Sequence, residues 1–319
     1  MVVVTYQKEC DVIQPALPGI QHATPLFLFH DGGGTTFAYH CLHSLNRAVF
    51  AIGNPHFQSG TAWDGGIPEM ARVYLRMIRN TIASADYPTM APYSVAADGS
   101  KKWKILLGGW SLGGLTSIEV ARLVNTGGNE LGLSEDSGGV EVEIVGLVMI
   151  DSIYPVWPAN SDLKIGIWMD GDEPEAKNQR LAKRAMKVAG NMVKAWRMPR
   201  CGAAFRNAMD HLESDGGEEV YRSFYGTRKE KETPEVIWDR PPRAVLVRAT
   251  ESIEMPPGET SATDVYRGDQ KLGWDGYCPG FVEKVLPTKG NHFNMFAWEH
   301  IDEITARVVE ACRIIENGN

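Results

Sequence analysis

Apolar residues in this chain follow two rhythms that alternate from end to end. Short unbroken apolar runs at Pro25–Phe29, Ala48–Ile52, Ile105–Leu107, Ile144–Ile150, Ala244–Val247 and Phe281–Leu286 predict buried strands. Between them lie stretches of helical spacing. Residues Ile67 to Ala85 put Met70, Val73, Tyr74, Met77, Ile78 and Ile82 on one stripe. A helix from Leu112 carries Leu115, Ile118 and Val120 to Leu123, and another over Ala297 to Ile315 carries Ile301, Ile304, Val308, Val309, Cys312 and Ile315. A further helix is expected from Thr36 to Asn46, and at most one edge strand before residue 25. Strands that are apolar throughout are buried on both faces, so the pattern predicts an α/β fold: a mainly parallel sheet with helices on both faces.

The rhythm breaks over residues 154–240. There Lys177 to Arg200 predicts an amphipathic helix with Leu181, Ala185, Val188, Met192 and Trp196 on one side. We read this stretch as a helical lid insertion in a single domain spanning 1–319, with a core of about 25–153 and 241–315. Residues 126–143 are Gly-rich and acidic, without apolar period, and predict a surface loop.

Composition narrows the function classes. A chain of 319 residues, 43% hydrophobic and 23% charged, is of ordinary globular make-up. Its net charge of −8 argues against a nucleic-acid partner. No apolar run approaches the roughly 18 residues of a membrane span, so no membrane association is expected. The five cysteines (Cys10, Cys41, Cys201, Cys278, Cys312) show no CxxC and no disulfide framework. With no leader pattern over Met1 to Gln14, this points to a reducing, cytoplasmic setting.

The candidate chemistry centres on Gly109-Trp-Ser-Leu-Gly113, a G-x-S-x-G turn between a predicted strand and a predicted helix. That context makes Ser111 a candidate nucleophile on a sharp strand-to-helix elbow, with a helix N-terminus behind it for an oxyanion. One oxyanion donor would be the N–H of Leu112 and the other the N–H of Gly32, in the Gly-rich turn after the Pro25–Phe29 strand. That turn lacks the Lys-Ser/Thr of a phosphate loop. Asp151 stands at the carboxyl end of a strand, where a carboxylate can orient an imidazole; Glu251, past the Ala244–Val247 strand, is its rival. His292 follows the last strand and completes the order Ser, Asp, His. His30, beside the Gly-rich turn, reads as structural. No His/Cys cluster of metal-ligand spacing is present, so no metal is expected.

Four stretches carry a resemblance: Leu26-Phe-Leu-Phe-His-Asp-Gly-Gly-Gly34, Gly109-Trp-Ser-Leu-Gly-Gly114, Val148-Met-Ile-Asp-Ser152 and Gly290-Asn-His-Phe-Asn-Met295. Over roughly residues 25–315 the chain resembles the α/β-hydrolase thioesterases that release products from fungal polyketide synthases and non-ribosomal peptide synthetases, here free-standing. The resemblance implies an α/β-hydrolase fold and favours Asp151 over Glu251. It also implies a serine-dependent thioesterase acting on an acyl thioester, with an acyl carrier protein as partner. It implies, further, that the acyl group leaves by attack of water or of an internal nucleophile. It implies no cofactor of the enzyme's own, with phosphopantetheine only on the carrier-bound substrate.

Charge adds one feature. From Ala176 to Arg200 the lid holds Lys177, Arg180, Lys183, Arg184, Lys187, Lys194, Arg197 and Arg200 and no acidic residue. This run is either a docking face for an acidic carrier, with Lys183, Arg184 and Trp196 as candidate contacts, or the solvated face of an amphipathic helix. The aromatic residues Trp157, Trp168, Trp196 and Phe205 either shape a pocket or pack. Two other functions stay open: an esterase acting on a free small-molecule ester, and a cyclase or binding protein that does not use the serine covalently.

Overall fold

The computed structural model describes residues 9–126, 139–156, 163–166, 176–202, 237–238 and 241–318. In chain order its first elements are β1 (Asp11–Gln14), β2 (Leu26–Phe29), α1 (Phe37–His40), β3 (Val49–Ile52), α2 (Gly66–Ala83), β4 (Tyr93–Val95), β5 (Lys101–Trp110), α3 (Leu112–Asn125) and β6 (Glu141–Ile150). There follow β7 (Lys164–Gly166), α4 (Lys177–Ala195), β8 (Arg200–Cys201), β9 (Ile237–Trp238), β10 (Ala244–Ala249), β11 (Glu259–Ser261), β12 (Val282–Thr288) and α5 (Ile301–Asn317).

The central sheet runs β1-β3-β2-β5-β6-β10-β12, with β4 added beside β5. Only β1 and β4 are antiparallel to their neighbours. The expected α/β class, a mainly parallel sheet with helices on both faces, is what the chain adopts. Successive strand residues point to opposite faces, which explains why the runs are apolar at every position. Phe27, Phe29, Phe50 and Leu107 pack with Tyr74, Ile78 and Ile118 of α2 and α3 on one side. Leu26, Leu28, Leu106, Val148 and Val245 pack with Ile304, Val308 and Cys312 of α5 on the other.

Where the structure departs from expectation, side chains decide. The helix predicted over Thr36–Asn46 stops at His40. Gln14 takes its backbone groups: its amide donates to the carbonyls of Leu42 and His43 at 3.3 and 2.9 Å and accepts the Leu45 N–H at 2.8 Å. Strand β5 extends over Lys101–Trp110, beyond the expected Ile105–Leu107, because its polar start pairs with β4. The final helix begins at Ile301, preceded by a tight turn over Trp298–His300.

The lid is not purely helical. Beside α4, β7 pairs in parallel with β11, and β8 with β9. Trp157, Trp168, Phe205 and most of the predicted 126–143 loop lie outside the described residues. The cysteine expectation is corrected: Cys201 and Cys278 form a disulfide across 77 residues, with Cα atoms 5.6 Å apart. Spacing alone could not pair them, because only the fold brings the end of the lid segment beside the turn before β12. The pairing removes the cysteine argument for a reducing compartment. Among the described residues no helix is long and apolar enough to cross a membrane.

Candidate active site

Ser111 stands alone between β5 and α3, at φ 55° and ψ −113°. Such a conformation costs a non-glycine residue on the order of 1–3 kcal/mol, so its neighbours must impose it. They do so from both sides. The Ser111 N–H donates to Ile150 O at 2.8 Å, and Ser152 Oγ donates to Ser111 O at 2.8 Å. The glycines of the motif are needed for close approach: a Cβ at Gly109 would lie 2.6 Å from the Phe29 carbonyl oxygen, and one at Gly113 would strike the same atom. The start of α3 therefore abuts the end of β2.

That contact places the Gly-rich turn beside the elbow. Leu112 opens α3, so its N–H has no acceptor within the helix. In the turn, the Gly34 N–H donates to Asp31 O at 3.0 Å, and the N–H groups of Gly33, Gly34 and Thr35 favour the charged form of the Asp31 carboxylate. Burial raises the Asp31 pKa despite the opposing influence of His292 and those N–H groups. His30, the predicted structural histidine, donates from Nδ1 to Asp31 O at 2.5 Å and accepts from Tyr74 OH at 2.6 Å. Burial pushes its pKa down to about 4, so it remains neutral in this role. A second pin comes from Tyr39, whose hydroxyl donates to Phe29 O at 2.6 Å and accepts the Trp110 N–H at 2.9 Å.

His292 rides on the turn after β12. Asn291 Oδ1 accepts the N–H groups of Phe293 and Asn294 at 2.9 and 3.2 Å. The imidazole lies against Trp110 and Phe293, with ring centroids 5.6 and 5.2 Å away. Its Nε2 is 3.1 Å from Ser111 Oγ, and its Nδ1 is 2.8 Å from Asp151 Oδ2. The structure thus brings Ser111, His292 and Asp151 into one hydrogen-bonded line. Glu251, the rival acid, is engaged elsewhere: its Oε1 accepts the Gly290 N–H at 3.2 Å and so anchors the base of the histidine turn.

Asp151 is fully buried, at φ 44°. Burial would favour its neutral form, yet the hydrogen bonds from Arg267 and His292 outweigh this and hold its pKa at about 2. The carboxylate is therefore ionised wherever the protein functions. Sequence reasoning gave no sign of Arg267. It sits in an irregular segment between β11 and β12 with no motif around it.

Helix α4 covers the Gly-rich turn: a Cβ built on Gly32 would lie 3.7 Å from Ala189 and 3.9 Å from Met186. Of the lid candidates, Arg184 is exposed and donates to the Ser59 carbonyl, and Lys183 is half-buried on the same helix. Trp196 faces inward, with Nε1 3.3 Å from Glu119 Oε2 of α3. It packs against the core.

No family model matches the chain. Curated relatives do. The chain is 30% identical over 315 residues to the probable thioesterase lcsE of Purpureocillium lilacinum, covering 92% of this chain and 89% of the relative. It is 31% identical over 293 residues to the probable thioesterase gloN of Glarea lozoyensis, covering 90% and 89%. Among solved structures, the NocB thioesterase domain in covalent complex with a fluorophosphonate nocardicin G analog superposes with a TM-score of 0.52. It shares 17% identity and covers 92% of this chain and 96% of its own, a likeness of fold.

Proposed function

Since the chain belongs to the thioesterases of fungal secondary-metabolite pathways, we propose that it releases a carrier-bound polyketide or peptide–polyketide acyl chain through an acyl-enzyme on Ser111. The observation that carries this reading is the line Ser111 Oγ–His292 Nε2 and His292 Nδ1–Asp151 Oδ2, at 3.1 and 2.8 Å. The covalent complex of the NocB domain shows that a neighbour of the same fold takes a covalent ligand.

The proposed reaction has two halves. Ser111 Oγ attacks the thioester carbonyl carbon while His292 Nε2 takes its proton. Asp151 holds the imidazole in the tautomer that leaves Nε2 free, and stabilises the cation that forms. The oxyanion rests on the N–H groups of Leu112 and Gly32. The carbon–sulfur bond then breaks, and His292 gives its proton to the departing thiolate. Water, or a hydroxyl or carbon nucleophile of the acyl chain, attacks the ester in the second half. Its proton passes through His292 back to Ser111. Water yields an acid; an internal nucleophile yields a lactone or a ring.

The carrier is supported by charge and place. Helix α4 holds six basic residues and no acidic one, in a chain of net charge −8, and lies directly over the Gly32 turn. A carrier docked on its outer face would have its phosphopantetheine arm near Ser111. Reversing charge at Lys183 and Arg184 together should raise KM for a carrier-bound acyl thioester about tenfold. The matching N-acetylcysteamine thioester should be unaffected. An equal effect on both substrates would contradict carrier docking on α4.

A further inference from the structure

The carboxylate of Asp151 is held by more than its imidazole. Arg267 Nη1 lies 2.7 Å from Asp151 Oδ1 and Nη2 lies 2.8 Å from Oδ2, a bidentate pair with side chains 6% and 0% exposed. The Ala249 N–H also reaches Oδ1, at 2.9 Å. With His292 on Oδ2, four hydrogen bonds fill the four lone-pair directions of the carboxylate. The guanidinium is equally saturated. Its remaining N–H groups go to Asp264 Oδ1 at 2.9 Å, Ala249 O at 2.8 Å and Thr263 O at 3.3 Å, so five donors meet five acceptors. Asp264 is fixed in turn by the Ile253 N–H at 2.6 Å.

We infer that Arg267 is a positioning residue for the proposed triad: its fork fixes the Asp151 carboxylate with a single lone pair aimed at His292. The inference rests on the serine-triad reading above. A carboxylate held by two parallel N–H bonds cannot rotate about its Cβ–Cγ bond without breaking both, which fixes the imidazole plane through Nδ1.

Other charges face the same site. Asp31 lies in the Gly-rich turn, its charged form favoured by His292. Arg248 and Asp269 sit near Asp151 and Arg267, with Arg248 donating to the Arg267 carbonyl. Asp264 flanks Arg267 on its far side, and Glu251 and His300 flank the Gly290 turn. All of them are retained when only Arg267 is changed, so the difference between variants reads Arg267 itself.

Two substitutions separate geometry from charge. Arg267→Lys keeps the charge and loses the fork. Arg267→Gln loses both. Each is compared with wild type for kcat and KM on an N-acetylcysteamine acyl thioester, with Ser111→Ala alongside and thermal unfolding as a check on folding. For Arg267→Lys we expect kcat to fall about tenfold and KM to stay within about threefold. For Arg267→Gln we expect kcat to fall further, again with KM within about threefold.

A residue that merely braced the irregular segment would lower the unfolding temperature and leave kcat of the folded protein near wild type. Wild-type kcat in folded Arg267→Gln or Arg267→Lys therefore overturns the inference, as does a loss confined to KM. If Arg267→Gln does not fold, the kcat-against-KM split in Arg267→Lys decides. Inactive Ser111→Ala with unchanged Arg267 variants sinks the inference alone. Turnover by Ser111→Ala at the wild-type rate removes the triad and the inference together.

Discussion

Ser111 occupies a backbone conformation that its own preferences oppose, and the residues around it hold it there. Ile150 takes its N–H and Ser152 caps its carbonyl. Tyr39 does similar work one step away, joining the end of β2 to the elbow through one hydroxyl. Tyr39→Phe leaves a buried carbonyl and a buried N–H without partners, which should cost about 1–3 kcal/mol of stability. It should also lower kcat more than it changes KM, because Gly32 and Leu112 no longer keep a fixed separation. Thermal unfolding and steady-state kinetics on one thioester check both; an unchanged kcat would show that the hydroxyl does not position the elbow. At this scale the sequence was partly legible. Ser111, Asp151 and His292 stand at strand ends in a recognisable order, so their meeting could be foreseen. Tyr39 and Arg267 could not, because each acts through contacts with residues 10 to 116 positions away that no local pattern records.

The strand, turn and helix of residues 101–125 form the element on which the site depends. Its tightest approach to another backbone is at Gly113, whose Cα faces the Phe29 carbonyl. Gly113→Ala gains helix propensity and nevertheless forces a methyl group onto backbone oxygen. The clash should win, lowering the unfolding temperature by several °C, as a loss of about 2 kcal/mol or more would. Calorimetry reads this, and a variant as stable as wild type would mean that β2 and α3 can separate freely. Other elements were legible in proportion to their local signal. Continuous apolar runs gave the strands, and clear stripes gave α2, α3 and α5. Helix α1 was overestimated because the competing hydrogen bonds come from Gln14, an edge-strand residue. The small β7–β11 pairing was missed because both strands are three residues long and largely polar.

At the scale of the molecule, the parallel sheet does the assembling. The carboxyl ends of β2, β5, β6 and β12 lie along one edge, and each delivers a part: the Gly-rich turn, Ser111, Asp151 and His292. The alternation of apolar runs with helical stripes is enough to foretell that edge. Features that join distant parts without joining the sheet, such as the Cys201–Cys278 bond and the Asp151–Arg267–Asp264 chain, leave no such trace. Basic α4 covers the Gly-rich turn at that edge.

The proposed mechanism requires a covalent ester at Ser111 Oγ. Wild-type protein and Ser111→Ala are mixed with an N-acetylcysteamine acyl thioester, quenched within the first turnover, and measured by intact-protein mass spectrometry with peptide mapping. An acyl adduct on the peptide containing Ser111, present in wild type and absent from Ser111→Ala, is the predicted result. An adduct on another residue, or equal turnover by both proteins, would contradict it.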